Sequence, residues 1–215
     1  MSDALTAQII AAVHKYYAAE SVLTDRVGST TEQIDVEQFV VKQFGFKDTI
    51  DYGVSDSAEH LGTTLARRRN ALIVQTMASA LSETILAQDS FKDSLQQASA
   101  ALDKAGFSAE GRCVLLSQKQ FDQLREEVPF MKADQRSFFG LDLVVQSSLD
   151  GTVARAQKQG KDAAYVFHRD AVQYGWPQEA VDAEIVRHED LTAVVGSITA
   201  GVRVADQAGV LAIES

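Results

Sequence analysis

The chain has 215 residues, with 20 Lys and Arg against 30 Asp and Glu, for a formal net charge of −10. Its 46% hydrophobic and 23% charged residues exclude a disordered chain, and this length folds without metal or disulfide support as one domain, or one domain with a subdomain. The acidic balance argues against a sequence-reading nucleic-acid binder, no apolar run reaches the ~18–20 residues of a membrane span, and Met1-Ser2-Asp3-Ala4-Leu5 lacks the features of a secretory signal.

Residues 2–20 read as an amphipathic helix capped by Ser2, with Leu5, Ile9, Val13 and Tyr16/Tyr17 on one face. Residues 26–31 read as loop, because glycine and small hydroxyl residues favour turns. Residues 33–52 carry the strand formers Val36, Phe39, Val40, Val41, Phe44, Phe46 and Ile50, are broken by Gly45 and end at Gly53. They suggest two antiparallel strands in a projecting hairpin. Ser55, Asp56 and Ser57, with Glu59 behind them, offer caps to an uninterrupted helical period from residue 56 to about residue 88, marked by Leu61, Leu65, Leu72, Ile73, Met77, Leu81 and Ile85. A single helix of that length measures on the order of 50 Å, long for a compact domain, and implies an elongated subunit. Gly62 is its weak point, at about 1 kcal/mol relative to alanine.

Residues 91–105 form a second amphipathic pattern, with Leu95, Ala98, Ala101 and Leu102 on one side and Gly106 as its stop. Arg112–Leu116 is a short apolar strand suited to burial on both faces. Ser117 caps a helix that turns Phe121 and Leu124 inward, with Pro129 past its end. Further strands are expected at 138–146, 164–168, 184–188, 191–198, 201–204 and 210–213. A polar loop or short helix is expected at 151–161, and a short helix at 169–174 closed by Gly175. The fold class is α+β, with helices early and antiparallel strands late. No internal repeat is present.

Chemistry-bearing motifs are sparse. Gly160-Lys161 is the only glycine–lysine pair, but Asp162 follows where a phosphate-binding loop needs Ser or Thr. His14, His60, His168 and His188 are not spaced as helical metal ligands, and the single cysteine, Cys113, builds neither a zinc cluster nor an internal disulfide. The lone cysteine fits a reducing compartment, and its apolar strand suits a buried thiol. His188-Glu189-Asp190 reads as a polar turn before it reads as a ligand set. His168 beside Asp170 could act as a general base with an orienting carboxylate, although neighbouring residues at a strand end point in different directions. Glu126-Glu127 reads as solvated surface. Arg67-Arg68-Arg69 reads either as a solvent-facing stripe or as a contact to phosphates or a neighbour's carboxylates.

Gly111-Arg112-Cys113-Val114-Leu115-Leu116-Ser117, with Phe121 and Leu124 behind it, resembles a run in the major capsid proteins of tailed bacteriophages, which share the HK97-like fold. Phe139-Gly140-Leu141-Asp142-Leu143-Val144-Val145-Gln146-Ser147 resembles the strand that follows there. Ala164-Tyr165-Val166-Phe167-His168-Arg169-Asp170-Ala171-Val172 is similar to the family's strand, phenylalanine–histidine and alanine–valine passage. Gly201-Val202-Arg203-Val204 and Gly209-Val210-Leu211-Ala212-Ile213 look like its closing strands. The resemblance implies an N-terminal arm (1–29), an extended hairpin loop (30–54), a peripheral domain with a long spine helix (55–149) and an axial domain with closing strands (150–215).

By that resemblance the chain is a structural major capsid protein, not an enzyme. It self-assembles as pentamers and hexamers into an icosahedral shell around double-stranded DNA without sequence-specific contacts. Portal and scaffolding or decoration proteins are its partners, and its place is the virion, after synthesis in the host cytoplasm. No catalytic, cofactor or metal residue is implied. The segment 30–53, with Phe39, Phe44 and Phe46, is expected to pack on a neighbouring subunit and not on its own core. The only asparagine, Asn70, lies inside the presumed spine helix, so a lysine–asparagine cross-link is not expected. Two alternatives stay open: an encapsulin-like nanocompartment shell with protein cargo, and a small α+β enzyme using His168.

Overall fold

The structure, a computed structural model, describes residues 3–21, 23, 26–46, 54–86, 90–132, 135–145, 163–176, 180–188 and 191–214. Its helices are α1 (Asp3–Glu20), α2 (Val54–Ser79), α3 (Phe91–Lys104) and α4 (Gln118–Glu127). Its strands are β1 (Gly28–Gln33), β2 (Glu37–Phe46), β3 (Glu83–Leu86), β4 (Arg112–Leu116), β5 (Ser137–Phe138), β6 (Leu141–Val145), β7 (Ala163–His168), β8 (Val172–Trp176), β9 (Ala180–His188), β10 (Leu191–Ala200), β11 (Val202–Val204) and β12 (Val210–Glu214). The chain divides into two interleaved compact units, one of residues 1–22, 31–70 and 175–201, the other of 23–30, 71–174 and 202–215.

In the first unit α1 buries Ile9, Val13 and Tyr17, and α2 buries Ala58, Leu61, Leu65 and Ala66. The two helices meet at Gly62. A Cβ there would lie 2.6 Å from the Val13 carbonyl oxygen and 2.9 Å from the Tyr17 amide nitrogen. The expected weak point of the helix is therefore a condition of the packing, since only glycine lets the backbones come so close.

The same unit holds an antiparallel sheet in the order β2-β10-β9. The expected hairpin over 33–52 is corrected in its described part. β2 is one unbroken strand that includes Gly45, and it pairs with β10 from Phe46 opposite Leu191 to Glu37 opposite Ala200. Residues 37–46 therefore belong to the chain's own sheet, and the expectation that they pack only on a neighbour is corrected. Its hydrogen bonds go to a strand far along the chain, which no local pattern announces. One face of the sheet packs on α2, where Leu65 Cδ1 lies 3.0 Å from a Cβ built on Gly196 and Val194 and Ile198 are fully buried. On the other face Val40 and Val186 are exposed.

The second unit is built on a mixed six-stranded sheet in the order β3-β12-β7-β4-β6-β5. Strand alternation gives it two apolar faces. Val114, Leu116, Val166, Leu211 and Ile213 pack under Phe91, Leu95, Ala98 and Leu102 of α3 and Phe121 and Leu124 of α4. Cys113, Leu115, Tyr165, Phe167 and Ala212 pack against Leu23, Val27 and the Ile73, Val74 and Met77 end of α2. The sequence boundary at residue 150 falls inside this sheet, because β7 and β12 from beyond it pair with β4 and β3 from before it.

Four further expectations are corrected. The helix read over 56–88 starts by Val54 and stops at Ser79, about 39 Å for its 26 residues. Residues 83–86 are β3 because Ser82 donates both its N–H and its hydroxyl to the Val210 carbonyl, at 3.1 and 2.8 Å, and starts a parallel pairing with β12. The strand read over 138–146 is a hairpin turned at Phe139 (φ 50°) and Gly140 (φ 74°), the two left-handed residues that the twist of a two-residue loop demands. The helix read over 169–174 is a tight turn, closed by the Ala171 N–H on the His168 carbonyl at 2.9 Å, and then β8. Likewise Gly28 to Thr31, read as loop, belong to β1, whose Gly28 N–H reaches the Arg169 carbonyl at 2.7 Å. The Ser2 cap and residues 47–53 and 151–161 lie outside the described residues.

Gly62→Ala tests the helix contact. Intrinsic propensity alone favours alanine by about 1 kcal/mol, whereas the clash with Val13 and Tyr17 predicts a loss of roughly 1–3 kcal/mol. Thermal melting followed by circular dichroism should show a lowered midpoint, and a raised one would remove the close approach.

Candidate functional site

Polar side chains gather at the start of β4, in the second unit. Arg112 is 3% exposed, and a guanidinium so buried is costly unless every donor is met. Its Nε donates to the Ser108 carbonyl at 2.7 Å, and Nη1 to the Ser99 carbonyl and hydroxyl at 3.3 and 3.2 Å. Nη2 donates to the Asp103 carboxylate at 2.5 Å and to the Phe107 carbonyl. Ser99 passes the network on, its hydroxyl donating to the Phe139 carbonyl at 2.9 Å. The loop that supplies these carbonyls leaves α3 through Gly106 (φ 87°), with the Gly106 and Phe107 amides on the Asp103 and Leu102 carbonyls, a paired C-terminal closure that needs the left-handed glycine.

His168 stands at the other edge of this loop, with its ring centroid 5.0 Å from that of Phe107. Its Nδ1 accepts the Asp170 N–H at 3.2 Å, and its Nε2 lies 2.8 Å from the Glu110 carbonyl. The amide on Nδ1 assigns the ring proton to Nε2, which donates to that carbonyl. Both nitrogens are thus engaged by main chain, and the Asp170 carboxylate, 3.7 Å away, is largely exposed. A general base needs a ring nitrogen turned toward a substrate. His168 closes a turn instead.

Other sequence candidates separate in the same way. Burial pushes the Cys113 thiol up to about 11, against the lowering pull of Arg26 and Arg169, and a thiol held protonated is a poor nucleophile. Arg67 and Arg68 are exposed while Arg69 and Asn70 are buried, so the basic run divides between solvent and interior. His14 and His60 are exposed on α1 and α2. Among the described residues no three His, Cys, Asp or Glu side chains gather as metal ligands. Gly160-Lys161 and Glu189-Asp190 lie outside the described residues.

Glu127, read as surface, has a partner that the sequence conceals. From the end of α4 it reaches the N-terminus of α3, accepting from the Ser90 hydroxyl at 2.9 Å, the Phe91 and Lys92 amides at 3.0 and 2.8 Å, and Gln123 at 3.1 Å. Burial pushes its carboxyl up, but the Lys92, Phe91, Ser90 and Gln123 hydrogen bonds outweigh burial and hold it below the ordinary value of 4.5. The open N–H groups of a helix start favour an anion there.

These groups are engaged within the chain, and among the described residues a few large apolar side chains stand at the surface. Phe130 is 96% exposed, Leu86 56%, Val40 50% and Val186 44%.

No family model matches the chain, and no curated protein does. Solved structures do match. The capsid of cyanophage P-SCSP1u superposes with a TM-score of 0.65 at 15% identity, over 84% of this chain and 73% of that chain. The virus-like particle from Pyrococcus furiosus matches with a TM-score of 0.69 at 15% identity, over 97% of this chain and 99% of that one. The capsid of an empty GTA particle matches with a TM-score of 0.68 at 9% identity, over 91% and 90%. The chain has the HK97-like capsid fold, an α+β fold, as the resemblance in its sequence implied. At such identities the likeness is one of fold.

Two substitutions test the network. Arg112→Leu strands the Phe107 and Ser108 carbonyls and should cost roughly 3 kcal/mol, while Asp103→Asn, at an exposed carboxylate, should cost under about 1 kcal/mol; denaturant midpoints compare them. Glu127→Gln should lower stability by about 1 kcal/mol at neutral pH. The native carboxyl titrates below its unfolded value, so its contribution is complete above the ordinary glutamate range and fades as the pH falls through the folded value. The gap between wild type and Glu127→Gln should therefore shrink on acidification, and an unchanged gap at pH 3 would remove the capping role.

Proposed function

We propose that this chain is the shell-forming subunit of a tailed phage, associating as pentamers and hexamers into a closed icosahedral capsid around double-stranded DNA. The observation that carries this reading is the fold match to phage and phage-like capsids over 84–91% of the chain. Engagement of His168, Arg112 and Glu127 by their own chain agrees with a subunit that performs no bond chemistry. Its acidic charge agrees with an inner wall that releases DNA, since a basic wall would hold phosphates in a salt-dependent grip. In this reading the subunit meets a portal protein and scaffolding or decoration proteins, is made in the host cytoplasm and ends in the virion. The exposed face of the sheet formed by β2, β10 and β9, with Val40 and Val186, is the surface this reading turns toward a neighbouring subunit.

A second reading, an encapsulin-like shell with protein cargo, draws on the match to the virus-like particle from Pyrococcus furiosus, which covers nearly all of both chains. Electron micrographs of purified particles separate the two. DNA-filled shells support the phage reading, and shells holding a co-purified protein support the other.

Assembly itself is tested by light scattering over a range of salt and concentration. Mass far above the 23.3 kDa monomer is expected, and a monomer throughout would overturn both readings. Val40→Asp combined with Val186→Asp should leave the circular dichroism unchanged and abolish assembly, because burying a valine contributes roughly 1.5 kcal/mol or more and a shell repeats the loss in every subunit. Shells forming as before would exclude this sheet face from the contacts.

A further inference from the structure

The six-stranded sheet of the second unit ends at β3, and among the described residues no strand covers the outer side of β3. Its four residues, Glu83 to Leu86, form one wall of a groove of about 500 Å³ whose other wall is the first two turns of α3, with Ser90, Asp93, Ser94 and Gln97. An uncovered strand edge presents a row of backbone donors and acceptors that another extended chain can pair with. Native edges are usually blunted by lysine, proline, a bulge or short length; β3 is short and carries one charge, Glu83, but has no lysine or proline to block pairing.

The side chains around the groove state what would pair there. Ile85 is buried in the core under α3, so Glu83 shares the α3 side of the sheet, while Thr84 and Leu86 turn to the opposite side. On the α3 side Glu83 and Asp93 are both exposed, and no Lys or Arg lines the groove. On the opposite side Leu86 is 56% exposed. A strand added along β3 alternates its own side chains in the same way.

We infer that β3 takes up an extended peptide segment as a seventh strand, one in which Lys or Arg alternates with apolar residues. The cations face Glu83 and Asp93, and the apolar side chains cover Leu86. This surface does not rest on the shell reading, because the groove lies wholly within the second unit of a single chain.

The test titrates the full-length chain with three octapeptides, followed by fluorescence anisotropy: alternating valine–lysine, alternating valine–glutamate, and valine–lysine N-methylated at alternate residues. The valine–lysine peptide should bind at least tenfold more tightly than either of the others. The double variant Glu83→Lys, Asp93→Lys, changed only at exposed positions, should reverse the preference toward valine–glutamate. Equal binding of the lysine and methylated peptides would reduce the effect to attraction by an acidic protein and overturn the proposal. An unreversed preference in the double variant would also overturn it. Affinity that falls as protein concentration rises would hand the edge to a second copy, with the same consequence.

Discussion

A single buried cation organises the larger sheet. Removed from water, the Arg112 guanidinium must find acceptors for all its nitrogens, and it finds them in the Phe107 and Ser108 carbonyls and in Ser99 and Asp103 of α3. Those bonds fix the loop between α3 and β4. The fixed loop presents the Glu110 carbonyl to His168, and Gly111 (φ 87°) leaves room for Arg169, whose Cγ lies 2.7 Å from where a Cβ would stand. The starts of β4 and the end of β7 are thereby set against each other, Arg112 opposite His168. From that register follow the two faces of the sheet and the covering of one of them by α3 and α4.

Much of the fold was legible wherever a segment carried its own instructions. Ser117 with Gln120 encodes a capping box, Gly106 encodes a helix stop, and the unbroken apolar run of β4 encodes burial on both sides. Illegible were the elements whose hydrogen bonds are supplied from far away. β3 carries an apolar spacing that continues the helix before it, and only the Val210 carbonyl and β12 make it a strand. β2 looked like half of a hairpin because its partner, β10, lies at the other end of the first unit's chain. The order of the capsid-like motifs survived these errors, since order depends on chain sequence and not on where each element stops.

The candidate site shows the same division. The burial of Cys113 could be read from its apolar neighbours, but the Glu110 carbonyl on the His168 ring and the capping role of Glu127 could not. Polar groups in an enzyme cleft keep a lone pair or a proton turned toward open space. Arg112, His168 and Glu127 are instead turned onto groups of the same chain, where they tie strand, loop and helix together.

The pairing of β2 with β10 also orders events in time. Residues 37–46 leave the ribosome long before residues 191–200, and at ~5–20 residues per second the wait is on the order of ten seconds. Until β10 emerges, β2 has no ladder to join, and the sheet face carrying Val40 and Val186 does not exist. The long-range topology thus makes folding of the first unit slow, and on one polysome that face forms only in chains that have passed residue 200.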